Sequence, residues 1–150
     1  MATMIRFRGI PLEDTSDIDG VDFDGTFVYG NYIKYGDGTL IVGDALQADE
    51  DGYWPSWWVP VDPKTVGQFT GLKDMNGKDI YKGDIIHGYD QEPDRDDGYI
   101  GSSVTDVVNF KYGAFWIGDS WYKVMVMTPP IVEIIGNVHV NPELLEETHE

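Results

Sequence analysis

Apolar residues in this chain come in short alternating runs, and no long stretch keeps the three-to-four-residue spacing of an amphipathic helix. That pattern confines the fold to short strands joined by turns, because a strand buries every second residue and a helix does not. TFVYGNYIK (26–34) and TLIVG (39–43) flank YGDG and read as a hairpin with a glycine-rich turn. ADEDG (48–52) reads as a loop, and YWPSWWVPV after it is rich in tryptophan and proline. Proline cannot donate to a ladder, so that segment is expected on a sheet edge or as an extended ribbon. DIIHGY (84–89), VTDVVNFK (104–111), AFWIGD (114–119) and WYKVMVM (121–127) read as a meander, with Tyr112-Gly113 as one tight turn and the acidic QEPDRDDG (91–98) as a loop. IVEIIGNVHV (131–140) closes it, with Val132, Ile134, Val138 and Val140 on one face and Gly136 as an interruption.

Helix signals are few. Asp62 followed by Pro63 has the order of a cap and first helical position, and Gly67 limits that helix to a turn or two. NPELLEE offers an asparagine cap, an early proline and early glutamate for a short C-terminal helix. The expected fold is therefore mainly β, with short antiparallel strands and one or two short helices. From about residue 80 onward five strands are expected to close into a small SH3-like barrel, with an N-terminal β-hairpin subdomain beside it. The 150 residues are expected to form one domain, with subdomains at 1–62 and 63–150.

Composition narrows the chemistry. There is no cysteine, which excludes disulfides, thiolate catalysis and thiolate zinc sites. MATMIRFRGIPLED lacks the apolar core of a signal peptide, and no window approaches a membrane span, so a soluble cytoplasmic protein with no membrane partner is expected. The net charge is -17, from 27 acids against ten bases, and a field of that sign repels phosphate backbones, so no direct nucleic-acid binding is expected. Residues 13 to 62 hold twelve acids against Lys34 alone, whereas 64 to 84 hold Lys64, Lys73, Lys78 and Lys82 against Asp74, Asp79 and Asp84. That near-neutral island is either a contact surface or a turn region of mixed charge.

The most patterned stretch is FTGLKDMNGKDIYKGDII (69–86). An EF-hand loop needs oxygen ligands at positions 1, 3 and 5, glycine at 6 and glutamate at 12. With Gly77 at position 6, position 1 is Leu72 and position 12 is Gly83; starting at Asp74 puts Lys78 at 5 and Ile85 at 12. Gly77-Lys78 is followed by Asp79, so a phosphate loop fails as well. Turn chemistry remains: Asn76-Gly77 supplies positive φ, and Gly83 relieves the backbone before Asp84 enters a strand.

These same residues closely resemble the core motif of the YopX family. The resemblance extends through MIRFRG (4–9), FVYGNYI (27–33), VDPKTVGQFTGLKD (61–74), VVNFKYGAF (107–115) and VEIIGNVHVNPELLE (132–146), in the family's order. The chain departs from the pattern at 13–25, which is longer and more acidic, and at 92–103, an enlarged loop. The resemblance implies a β-rich fold, homo-oligomers and a phage or prophage origin. It implies no enzymatic activity.

No other motif points to catalysis or to a cofactor. The two Asp-x-Asp-Gly turns formed by Asp17, Asp19, Asp22 and Asp24 lack a closing bidentate carboxylate, since Asp17 as position 1 gives Val28 at 12. His87, His139 and His149 show no metal-ligand spacing, and Ser16, Ser56, Ser102, Ser103 and Ser120 lack a nucleophile elbow. Trp54, Trp57 and Trp58 are the candidate interface, because tryptophan is enriched where subunits meet. The expected function is a non-enzymatic phage accessory protein, a homo-oligomer that contacts a host or phage protein. The alternative is an acidic inhibitor or DNA mimic acting on a host nucleic-acid-binding protein.

Overall fold

A computed structural model describes residues 5–44, 46–88, 104–111, 113–118 and 132–146. The expected strand at 121–127, the acidic loop at 91–98, Tyr112 and His149 lie outside these residues. The chain divides into two compact units, Met1–Gln68 and Phe69–Glu150, six residues beyond the expected boundary at 62/63.

The first unit holds β1 (Phe7–Gly9), β2 (Val28–Tyr35), β3 (Gly38–Val42), β4 (Leu46–Asp49), β5 (Gly52–Pro55), β6 (Trp58–Pro60), a 3-10 turn at Pro63–Thr65 and the start of β7 (Gly67–Lys73). β6, β3, β2 and β1 lie side by side in that order, and β1 pairs through Phe7 and Arg8 with Gln68 and Gly67. The hairpin expected around YGDG is β2–β3, closed at Tyr35↔Gly38. Alternation puts Val28, Ile41, Trp57, Val59 and Val61 on one face as the core, with Phe7, Ile18, Val21 and Val66 packed against them. Each fully buried aliphatic side chain there stabilises the unit by roughly 1.5–3 kcal/mol. The Asp62 carboxylate accepts the Lys64 N–H at 3.0 Å, and Thr65 Oγ1 accepts the Ile10 N–H at 2.8 Å, which ties the short turn to the end of β1. The tryptophan- and proline-rich segment makes β5 and β6, and β6 is a sheet edge, as its prolines require. The expected loop at 48–52 is instead a β-turn within the β4–β5 hairpin, where Asp49 pairs with Gly52.

The second unit holds the rest of β7, β8 (Asp79–Tyr81), β9 (Asp84–Gly88), β10 (Val104–Lys111), β11 (Ala114–Ile117), β12 (Val132–Asn137) and α1 (Glu143–Glu146). Its core is Ile80, Ile86, Val108, Phe115, Ile117 and Val132, with Leu72 and Ile134 against it. The expected SH3-like barrel does not close among the described residues. Among these residues the sheet is open, in the order β11-β10-β9-β12; the strand expected between β11 and β12, at 121–127, lies outside them, and β8 pairs with β7. β12 also ends before the expected Val138 and Val140. Its pairing with β9 slips by one residue between Ile134 and Gly136, and the Asn137 side chain then accepts the N–H groups of His139 and Val140, both at 3.0 Å, turning the chain away. The mainly β, antiparallel class is the observed one.

Candidate interaction surface

The expected tryptophan trio separates. Trp57 and Trp58 are neighbours on an extended chain, so they point to opposite faces of the sheet. Trp57 lies in the core at 7% exposure and Trp58 stands outside at 54%. Trp57 is thus removed from the candidate interface, and Gly43 is what admits it: a Cβ at 43 would sit 2.6 Å from the indole Nε1. Trp54 is half-exposed on β5 and belongs to a different strand pair, opposite Gln47.

Around Trp58 the register assembles a surface. Trp58 lies beside Val42, which lies beside Asn31; two residues on, Pro60, Leu40 and Ile33 form the next row. Residues two apart share a face, so Trp58, Pro60, Leu40, Ile33 and Tyr35 line the side of the sheet opposite the core. Ile33, Tyr35 and Trp58 are exposed there, and Leu40 and Pro60 are half-buried.

One border of this face is polar and tightly bonded. Arg6 pairs with Asp22 and lies 3.9 Å from Asp44, whose other oxygen accepts the Asn31 amide at 2.9 Å. The Arg8 guanidinium sits 4.0 Å over the Phe27 ring, and the Tyr29 hydroxyl donates to Asp24 at 2.6 Å. Asp24 also accepts the Thr26 and Phe27 N–H groups at 2.9 and 2.7 Å. Burial pushes the Asp24 carboxyl up, but the Tyr29 hydroxyl, these two N–H groups and the charge of Arg8 together hold it below its ordinary range. Burial and the neighbouring Asp24 carboxylate raise the Tyr29 hydroxyl, which stays protonated. The acidic insertion at 13–25 is therefore attached to the sheet by its own carboxylates. Among the described residues no group of three or more His, Asp or Glu side chains is placed to hold a metal ion. His87 and His139 do not converge: His87 Nδ1 is 2.9 Å from Thr105 Oγ1 on β10, and His139 lies in the turn after β12.

The second unit carries the patterned stretch. Gly77 and Gly83 have φ of +82° and +95°, in the left-handed region where glycine is favoured. Sequence reasoning tested Asp74 only as a calcium ligand; its role is different. One carboxylate oxygen accepts the N–H groups of Asn76 and Lys78 at 2.8 and 2.9 Å, and the other accepts that of Ile134 on β12 at 3.0 Å. Burial raises this carboxyl, yet the three N–H groups and the charge of Lys78 hold it below its ordinary value. An aspartate two residues before Asn-Gly is a sequence signal for the local pair of bonds, but nothing in the sequence announces the third.

Residues 37–146 match the YopX protein family. The crystal structure of protein EF1440 from Enterococcus faecalis is similar over 96% of this chain and 99% of its own, at 22% identity and a TM-score of 0.46. No curated protein matches. No described helix is long and apolar enough to cross a membrane. With the matched span running from the β2–β3 turn to α1, through the Asn76-Gly77 turn and the closing strand, the chain belongs to the YopX family.

Proposed function

We propose that this protein is a non-catalytic interaction module of a phage or prophage, working in the host cytoplasm as a homo-oligomer that also contacts a host or phage protein. One observation carries the reading: Ile33, Tyr35 and Trp58 stand exposed on a single sheet face with Leu40 and Pro60 between them. Contiguous apolar surface of this kind marks interaction sites, and tryptophan and tyrosine dominate the energetics of such contacts. Its support on the chemical side is that the Asp24 and Asp74 carboxylates are each occupied by three hydrogen bonds to their own chain. Sedimentation at micromolar concentration and moderate salt is the test, since a charge of -17 opposes association at low ionic strength. The wild type should sediment as an oligomer, and Tyr35→Ser with Trp58→Ser should shift it to monomer without lowering the melting temperature. A monomeric wild type sinks the reading.

The net charge of -17 favours a second reading, an acidic inhibitor that occupies a basic nucleic-acid-binding site of a host protein. Under it, the acidic first unit would release DNA from such a protein, and the Tyr35/Trp58 variant would do so equally well.

A further inference from the structure

The β4–β5 hairpin has a peculiar position. It continues the β3–β6 ladder: Val42 pairs with Trp58, and after an irregular step Leu46 pairs with Pro55. Yet β4 and β5 form a two-stranded sheet of their own, with neither flanked by a third strand among the described residues. A ribbon of two strands is marginal in water unless something packs on it. This one exposes its rings. Tyr53 is 76% exposed and Trp54 46%, and as adjacent residues they present one ring on each side of the ribbon. The turn between the strands carries Asp49, Glu50 and Asp51, all exposed, with the Asp51 N–H bonded to the Asp49 carboxylate at 2.8 Å. From Tyr35 to Pro63 the chain has six acids and no lysine or arginine, so no neighbouring cation along this stretch covers the rings.

Charge selects the occupant. A second copy of the ribbon would bring like charges face to face, and a nucleic acid would be repelled by them. A lysine or arginine side chain meets both demands, because its alkyl stem packs on an aromatic ring, its head is attracted to the ring face, and carboxylates lie beside it. We propose that the β4–β5 ribbon is the docking element for a flexible, lysine- or arginine-rich segment of a partner protein that wraps the ribbon, its cationic side chains stacking on Trp54 on one side and on Tyr53 on the other, with Asp49, Glu50 and Asp51 at the turn supplying the charge. The proposal rests on the interaction-module reading but uses residues other than the Trp58 face, so the two can fail separately.

The test uses the full chain and a fluorescein-labelled peptide of five Arg-Gly repeats, read by anisotropy at moderate salt. The wild type should bind saturably, and Tyr53→Ser with Trp54→Ser should weaken binding about tenfold or more at an unchanged melting temperature. Asp49→Asn, Glu50→Gln and Asp51→Asn together should weaken it too, whereas Glu13→Gln, Asp17→Asn and Asp19→Asn, which remove the same charge elsewhere in the unit, should leave it nearly unchanged. Equal loss in the two charge variants would show attraction to the net charge alone and overturn the proposal. So would absence of binding, or full binding by the Tyr53/Trp54 variant. If that ring variant instead abolishes sedimentation as an oligomer while peptide binding persists, the ribbon is a contact between copies and the proposal is wrong.

Discussion

Trp57 and Trp58 show how much one position along a strand decides. Trp57→Ala empties a core site and should cost about 3–5 kcal/mol, whereas Trp58→Ala should change monomer stability by about 0.5 kcal/mol or less, as read from urea denaturation. Equal costs would mean that the strand register is wrong. Asp74 invites a sharper test. Its carboxyl is held below the ordinary value of 3.8, so the folded state binds fewer protons than the unfolded chain in that region. The stabilisation is complete well above 3.8 and is lost as the pH falls through that value toward the depressed one. Asp74→Asn keeps a single acceptor oxygen for three N–H donors and should cost about 1–3 kcal/mol at neutral pH. Part of that difference should vanish in melts taken below pH 3.8, where the wild type also loses its charge. A constant difference from neutral to acid pH would assign the effect to packing.

At the scale of elements, what could be read from the sequence was what is local. The β2–β3 hairpin, the proline-marked edge at β6 and the Asp62-Pro63 turn are each specified by residues a few positions apart, and each is present. The glycine turns are of the same kind. Gly77→Val and Gly83→Val should each cost about 1–3 kcal/mol through backbone strain, with thermal melts as the measure and an unchanged melt as the refuting result. Gly77 has open space around the position of a Cβ, so strain rather than collision is what a melt of that variant reports. What could not be read was pairing between distant segments. DIIHGY reads as a strand, but nothing local says that β9 lies between β10 and β12, or that β8, inside the stretch read as turns, pairs with β7. The same limit hid the surface: the three tryptophans looked like one patch, although alternation already separated Trp57 from Trp58. The third bond of Asp74 spans 60 residues, and no local pattern encodes it.

For the whole molecule, the charge of -17 acts on two units that each have a core of their own. Self-repulsion should make stability rise with salt, and calcium chloride and sodium chloride of equal ionic strength should raise the melting temperature alike. A saturable, stoichiometric heat with calcium, abolished by Asp17→Asn and Asp22→Asn together, would contradict this and establish a metal site at the two Asp-x-Asp-Gly turns. The links from Asp74 to Ile134 and from the Met75 N–H to the Val132 carbonyl, at 2.9 Å, carry a consequence for synthesis. A ribosome adds roughly 5–20 residues per second, and the strands of the first unit have all emerged by Gln68. β9 emerges soon after but must wait for β10 and then for β12 to flank it. A chain stalled before Val132 would therefore hold out a buried-type strand with an uncovered edge and a turn whose aspartate has no partner for its second oxygen. Such an edge is a template for aggregation. For this protein the dangerous moment is late translation, and slow codons ahead of β12 would lengthen it.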